Sequence, residues 1–188
     1  MRNQPGRSLL FLGPLNRGSN IRGLHWFADE VLPRIKAALG THVPPVVIAG
    51  RDPSKLFREK MEAAGIRVQA NPSSPLPLLQ ESAAVFFPSH ELDGIQTGIL
   101  EAMAAGRAVV STGKGAEGLP LAPGHDIWIA DRTDGFAAAV IRLFRQPELR
   151  EATSRNAVTT IEARYNAHCA QPLLDSLINS LSGYPSQE

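Results

Sequence analysis

The segment from Asp93 to Gly106 constrains the fold most, because it places a glycine-containing turn and a short helix between two apolar runs. The run before it, Ala-Val-Phe-Phe-Pro, covers residues 84–88, and the run after it, Ala-Val-Val-Ser, covers residues 108–111. Short apolar runs on both sides of a helix are typical of buried parallel strands. The segment therefore predicts a βαβ unit, whose helix begins where a parallel sheet places its ligands.

The turn that opens this helix predicts a site for a nucleotide sugar. The residues around the helix N-terminus are Gly94, Ile95, Gln96, Thr97 and Gly98. Backbone N–H groups and the positive end of the helix dipole favour a phosphate there. Glu101 lies on the same helix face as Thr97 and Gly98. Because a carboxylate only accepts hydrogen bonds, Glu101 suits the hydroxyls of a ribose or a hexose.

Each of these residues also has a simpler interpretation. Glu101 could be a helix-surface charge, but its apolar neighbours predict a mostly buried helix, where an unpaired charge is costly. Asp93 fits a sugar ligand and a plain turn residue before glycine equally well. We expect Gly94 to offer anion-binding backbone, and Gly98 to be merely tolerated within the helix.

The rest of the chain alternates apolar runs with segments of helical periodicity. Strands are predicted at 9–12, 46–49, 66–68, 85–87, 109–110 and 127–130. Further helices are predicted at 21–39, 52–64, 76–82, 133–145, 148–163 and 168–181. This order predicts an α/β fold, a single Rossmann-like domain with a doubly wound, mostly parallel sheet of about six strands. The domain is predicted to span residues 8–165, after a leader (1–7) and before a C-terminal helix and loose tail (166–188).

Composition argues against several classes of protein. The 188 residues include 19 basic and 18 acidic side chains and no long basic stripe, so a nucleic-acid partner is not expected. The lone Cys169 excludes an internal disulfide and favours a reducing compartment. No apolar run approaches the ~20 residues that span a bilayer, and the N-terminus lacks the apolar core of a signal peptide. We therefore expect a cytoplasmic protein, and the five scattered histidines predict no metal site.

Four stretches in order resemble the C-terminal, nucleotide-sugar-binding half of retaining GT-B glycosyltransferases of the group-1 type. They are residues 13–23, 93–106, 115–119 and 131–137. Residues 93–106 resemble the family signature, in which two carboxylates are separated by seven residues and the second opens Glu-Ala-Met-Ala-x-Gly. Asn20, the Trp-Phe pair at 26–27 and the Gly-Ile-Gln at 94–96 look closest to a branch that makes cell-surface polysaccharides.

The resemblance implies a donor and a partner. A nucleotide-diphosphate sugar would be the donor substrate, with no further cofactor, and Asp93 and Glu101 would be the catalytic carboxylates. An N-terminal half, in cis or in trans, would bind the acceptor, in polysaccharide or glycolipid biosynthesis. Because the first strand begins near residue 8, we expect a fragment or a domain whose partner is another polypeptide, inactive by itself. Peripheral membrane association would belong to the full enzyme.

The chain differs from the family at two positions that usually carry a cationic side chain. Pro14 stands where the first loop usually has an Arg, and Gly98 stands where that branch usually has a Lys. These cations neutralise the diphosphate, and losing one such contact could cost a few kcal/mol of transition-state stabilisation. Arg22 is the first candidate to replace them, followed by Arg17 and His90.

Gly13 and Arg51 lie in the loops after the first and second predicted strands. Gly13 is expected to let a phosphate approach the backbone. Arg51, after the second strand, could reach a phosphate or the base, but a solvated loop arginine is the simpler interpretation.

The missing cations leave a second functional class open. The chain could be a non-catalytic binding or interaction domain that kept the fold and lost its phosphate-binding cations. A third class, a sugar-nucleotide epimerase of similar architecture, would also need a second half. The predicted C-terminal helix carries an apolar stripe made of Leu173, Leu174, Leu177, Ile178 and Leu181. That stripe packs on its own domain, pairs with a second copy as a homodimer, or stays exposed.

Overall fold

A computed structural model of the chain describes residues 6–91 and 94–165. The strands of this part are β1 (Ser8–Leu12), β2 (Val46–Gly50), β3 (Arg67–Ala70), β4 (Ser82–Phe87), β5 (Ala108–Ser111) and β6 (Trp128–Ile129). Its α-helices are α1 (Gly18–Trp26), α2 (Leu32–Leu39), α3 (Lys55–Ala63), α4 (Leu76–Glu81), α5 (Thr97–Ala104), α6 (Thr133–Arg145) and α7 (Pro147–Arg164). A 3-10 turn, Gly40–His42, follows α2.

The six strands form one sheet in the order β3-β2-β1-β4-β5-β6, and every neighbouring pair is parallel. This confirms the predicted single Rossmann-like α/β domain. From β1 the chain continues to β2 and β3 on one side of the sheet, and from β4 it continues to β5 and β6 on the other side. The strand order therefore reverses between β1 and β4. Ligands of doubly wound sheets bind outside the carboxyl ends of the strands at such a reversal.

Helices cover both faces of the sheet, which explains why the central strands are almost entirely apolar. The ring of Phe86 in β4 lies 4.1 Å, between centroids, from that of Phe27, which follows α1. The next residue, Phe87, lies against Gly98 of α5. Because consecutive strand side chains point to opposite faces, α5 and the α1 region pack on opposite sides of β4. Strands β2, β4 and β5 are buried at every position.

The helix predicted over 21–39 is continuous but contains a π-helical turn at Phe27–Val31, between α1 and α2. Pro33 lies in the first turn of α2. A proline inside a helix removes one N–H donor, and its ring clashes with the carbonyl four residues earlier, here that of Asp29. The wider π-helical turn just before Pro33 relieves that clash. The apolar periodicity of the sequence could not indicate this turn.

Within the described residues the elements run from β1 to α7, and β3 lies slightly later than predicted. The domain bounds 8–165 stay a prediction. The predicted C-terminal helix at 168–181, with its apolar stripe, lies outside the described residues. In the part of the chain that is described, no helix is both long enough and apolar enough to cross a membrane.

Candidate functional site

A cleft of about 500 Å³ lies at the carboxyl ends of β1 and β2, beside the N-terminus of α5. It is lined by Leu12, Gly13, Pro14, Arg17, Ala49, Gly50, Arg51, Pro72, Pro75, Ile95, Gln96, Thr97, Gly98 and Glu101. The predicted site residues among these are Gly13, Arg17, Ile95, Gln96, Thr97, Gly98 and Glu101. The cleft therefore brings the first loop and the helix after β4 together, at the reversal of strand order.

The loop after β1 is fixed by a buried asparagine. Asn20, which is 2% exposed, donates a hydrogen bond from Nδ2 to the carbonyl oxygen of Pro14 at 2.9 Å. Its Oδ1 lies 3.4 Å from Nε2 of Gln96, the residue that precedes α5. Asn20 thus connects two walls of the cleft, a role that the sequence could not indicate because Gln96 is far away along the chain.

The loops after β1 and β2 are in backbone contact. A Cβ atom added to Gly50 would lie 1.8 Å from the carbonyl oxygen of Gly13, so only glycine fits there. The backbone N–H of Leu15 also donates to the carbonyl oxygen of Arg51 at 2.9 Å. These contacts fix the first and second loops relative to each other at the floor of the cleft.

Two helix N-termini border the cleft without a side-chain cap. The residues preceding α1 and α5, Arg17 and Gln96, both line the cleft, and neither caps its helix through its side chain among the described residues. Among the described α-helices, only α3 has a side-chain cap, in which Ser54 Oγ accepts a hydrogen bond from the N–H of Phe57 at 3.2 Å; α1 and α5 are the uncapped helices preceded by cleft-lining residues. At α5 the N–H of Thr97 already donates to the carbonyl oxygen of Ile95 at 3.0 Å. First-turn N–H groups without such a partner are donors that an anion can satisfy.

Glu101 lines the cleft as predicted, but for a different reason. Its apolar neighbours predicted a mostly buried helix, but only three of the eight residues of α5 are buried, Ile99, Ala102 and Met103, and Glu101 is exposed. The apolar neighbours Ala102 and Met103 are buried because they face the sheet side of α5. The carboxylate faces the open cleft and has no burial cost to offset.

Gly98 is more than a tolerated helix residue. A Cβ atom there would lie 2.9 Å from Cε1 of Phe87 and 3.2 Å from the carbonyl oxygen of Leu12. Phe87 is only 1% exposed, so its ring has little room to move away. The absence of a side chain at Gly98 therefore lets α5 pack directly on the sheet, which corrects the interpretation of mere tolerance.

Several predicted site residues do not line the cleft. Arg22 forms an ion pair with Glu91, and the His90 ring packs edge-on against Trp26, with centroids 4.4 Å apart. Gly94 is exposed and adopts a left-handed φ of 79°, as expected for a turn glycine. Asp93, the other predicted carboxylate, lies outside the described residues, so its position stays a prediction.

The charged side chains of the cleft lining are Arg17, Arg51 and Glu101. The solvated-loop interpretation of Arg51 is thus incomplete, since this exposed arginine also forms part of the cleft wall. The signal that marked it was its place directly after Gly50 at the end of a buried strand. Two cations and one carboxylate give the described lining a formal charge of +1, which favours an anionic ligand.

The groups with shifted pKa values lie elsewhere. Burial lowers the pKa of His25, and the charge of Lys60 lowers it further. Burial also lowers the pKa of Arg107, with a smaller contribution from Arg150. None of these residues lines the cleft. Within the described ranges, no group of three or more His, Cys, Asp or Glu side chains could hold a metal ion.

Comparison with known families gives a match over most of the chain. The family described as glycosyl transferases group 1 matches residues 6–146. Among curated proteins, no match to the chain was found.

Comparison with solved structures gives similar folds at low sequence identity. The C-terminal domain of LpcC, a glycosyl transferase group 1 family protein from Francisella tularensis, has a TM-score of 0.69 and 19% identity, covering 87% of this chain and 88% of that domain. HepE from Anabaena, in complex with UDP and glucose, has a TM-score of 0.74 and 16% identity, covering 93% of this chain and 49% of HepE. A glycosyltransferase from Rickettsia africae has a TM-score of 0.77 and 13% identity, covering 97% and 49%. The chain thus spans most of an isolated C-terminal domain and about half of two longer proteins.

Proposed function

Because this chain belongs to the group 1 glycosyl transferases, as a C-terminal half of the GT-B fold, we propose that its cleft binds the nucleoside diphosphate of a nucleotide-sugar donor. The observation that carries the proposal is the pair of uncapped helix N-termini, at Arg17 and Gln96, on the cleft wall. Their N–H groups and dipoles favour the diphosphate. Arg17 adds a positive charge beside them.

The position of Glu101 suits the ribose rather than the phosphates. It lies five residues beyond Gln96, about 7.5 Å along the helix axis at 1.5 Å per residue. A carboxylate at the helix N-terminus itself would repel a phosphate, whereas one placed farther along α5 can accept hydrogen bonds from ribose hydroxyls. That HepE was solved with UDP and glucose supports a donor of this class.

The proposed reaction is sugar transfer from the donor to an acceptor bound by an N-terminal half, in cis or in trans. The helix N-termini would stabilise the diphosphate as it leaves the anomeric carbon. We place this reaction in polysaccharide or glycolipid biosynthesis, in the cytoplasm, with peripheral membrane association of the full enzyme. Asp93, Gly94, Arg22 and His90 stay proposed as further donor or sugar contacts.

Calorimetry with UDP, GDP and ADP tests the binding site. At least one of the three is expected to bind the wild-type chain at millimolar concentration or below. Glu101→Ala should weaken that binding, because the ribose loses its acceptor. The matched control is Glu62→Ala, which removes an exposed carboxylate from α3, outside the cleft. Failure of all three nucleotides to bind, or equal affinities for Glu101→Ala and wild type, would contradict the assignment.

One observation favours the second candidate, a non-catalytic binding domain. The packing of Gly98 against Phe87 leaves no room for a long cation at the position where the resemblance to the family implies one. A domain that lost its phosphate clamp should bind UMP and UDP equally. A donor-binding domain that stabilises a leaving diphosphate should bind UDP more tightly than UMP, and calorimetry with both ligands distinguishes the two functions.

A further inference from the structure

One end of the cleft lies away from α5 and is formed by the loops after β2 and β3. Arg51, Pro72 and Pro75 line this end. In the sheet, β2 is two strands from β4, the strand that leads into α5. Two strand spacings are about 10 Å, so this end is well separated from the uncapped N-terminus of α5.

The loop that carries Arg51 is held from several directions. The carbonyl oxygen of Arg51 accepts a hydrogen bond from the N–H of Leu15 at 2.9 Å. The carbonyl oxygen of Gly50 accepts a hydrogen bond from the N–H of Asn71 at 2.8 Å. The N–H of Asp52 donates to Oδ1 of Asn71 at 3.1 Å. Asp52 and Asn71 adopt left-handed φ values of 56° and 50°, a conformation that aspartate and asparagine tolerate better than other residues with side chains. Together these hydrogen bonds hold the backbone of the loop that carries Arg51 in place.

The end formed by Arg51 differs chemically from the phosphate end. Within residues 6–91 and 94–165, the Arg51 guanidinium has no hydrogen-bond or ion-pair partner, whereas Arg34 is paired with Asp134. The neighbouring helix α3 is capped by its own Ser54, so it offers fewer free N–H donors to a phosphate. With the diphosphate at α1 and α5 and the ribose at Glu101, the base is the part of the ligand that reaches Arg51.

We propose that Arg51 contacts the base and selects uracil or guanine over adenine; this inference rests on the proposed function. An arginine side chain has donors only, in a planar fork that pairs with adjacent acceptors and stacks on rings. Guanine presents O6 and N7 as acceptors, and uracil presents O4, as thymine does. Adenine presents a donating amino group at the corresponding position. The side chains of Pro72 and Pro75 supply an apolar wall for the ring.

The test measures the affinities of UDP, GDP and ADP for the wild-type chain, Arg51→Met and Arg51→Lys. Wild type should bind UDP or GDP roughly tenfold more tightly than ADP, the size of one good charge-assisted contact. Arg51→Met should remove that preference by weakening the preferred nucleotide and leaving ADP unchanged. The loss should be the same for the nucleoside monophosphate with the same base. Arg51→Lys, which keeps the charge and the donors but loses the planar group that stacks on a ring, should retain part of the preference.

Controls separate the failure of this inference from the failure of the proposed function. Arg58→Met removes an exposed arginine of α3 that does not line the cleft, and it should change no affinity. If Arg51→Met weakens UDP, GDP and ADP equally, and UMP less, Arg51 contacts phosphate and the inference is overturned. If the variant leaves all affinities unchanged, the inference is overturned while the donor site stands. If wild type binds none of the nucleotides, the donor site fails as well.

Discussion

Replacing Gly98 with alanine tests how closely α5 is packed on the sheet. The added Cβ would lie 2.9 Å and 3.1 Å from two ring carbons of Phe87, and 3.2 Å from the carbonyl oxygen of Leu12. Real Cβ atoms rarely approach other atoms this closely, so either α5 or the ring must move. Because Phe87 is buried among strands, we expect α5 to move, together with the N-terminus that borders the cleft.

The magnitude follows from two opposing effects. Overpacking a well-packed core typically costs about 1–3 kcal/mol. Glycine to alanine in a helix stabilises it by up to ~1 kcal/mol, and less in the first turn. Gly98→Ala should therefore lower the free energy of unfolding by about 0–3 kcal/mol. Gly135→Ala is the matched control, since Gly135 lies in the first turn of α6 and its added Cβ would meet Ala130 at an ordinary 3.4 Å.

Urea unfolding of both variants gives the comparison. The difference between the two variants should be about 1–3 kcal/mol, because helix propensity cancels and the contact with Phe87 remains. UDP affinity should fall in Gly98→Ala and stay unchanged in Gly135→Ala. The packing argument is refuted if the two variants are equally stable, or if Gly98→Ala is more stable than wild type.

Further predictions concern the cleft, His25 and activity. Asn20→Leu should weaken UDP binding roughly tenfold in calorimetry, because the carbonyl oxygen of Pro14 loses its hydrogen-bond donor. Unchanged affinity would contradict the role of Asn20 in connecting two walls of the cleft. His25 has a pKa lowered by burial and by Lys60, so the unfolded state binds more protons as the pH falls below about 7. The thermal unfolding temperature of wild type should therefore fall at lower pH, and the fall should be smaller in His25→Gln. An equal fall in both proteins would exclude His25 as its cause. Gly98→Lys should lower UDP affinity in low and high salt alike, because its Cβ meets Phe87 as that of alanine does; tighter binding that weakens with added salt would contradict the packing and indicate a phosphate contact. We expect the chain alone to transfer no sugar to an added acceptor in a transfer assay, because the proposal assigns the acceptor to an N-terminal half; detectable transfer would contradict that proposal.

Much of the fold was predictable because the central strands are buried on both faces. Runs such as Val46–Gly50 and Ser82–Phe87 are apolar throughout, which is the pattern of a covered parallel sheet. Strand β3 was less well placed, because it is an edge strand whose residues are only partly buried. The π-helical turn before Pro33 was missed, because apolar periodicity records which face is buried and not how the backbone bypasses a proline.

The part of the site formed by residues close together in sequence was predictable, whereas contacts between elements distant in sequence were not. The turn and helix after β4 supply Gln96, Thr97 and Glu101 to the cleft, as their spacing on one helix face indicated. The cations were harder to place, because a side chain's partner depends on elements distant in sequence. Arg22 of α1 pairs with Glu91, which no local pattern indicates, whereas Arg51 was marked by its place directly after Gly50 at the end of β2.

An amide NMR titration of the full chain with UDP, GDP and ADP tests the donor site most directly. The account predicts saturable shifts confined to the cleft, in the loop from Gly13 to Arg17, at Gly50 and Arg51, and from Ile95 to Glu101. The same shifts should need higher ligand concentrations in Glu101→Ala. Shifts centred elsewhere, such as the separate cavity between Leu39 and Phe144, or no shifts at millimolar ligand, would contradict the proposal that this cleft holds a nucleoside diphosphate.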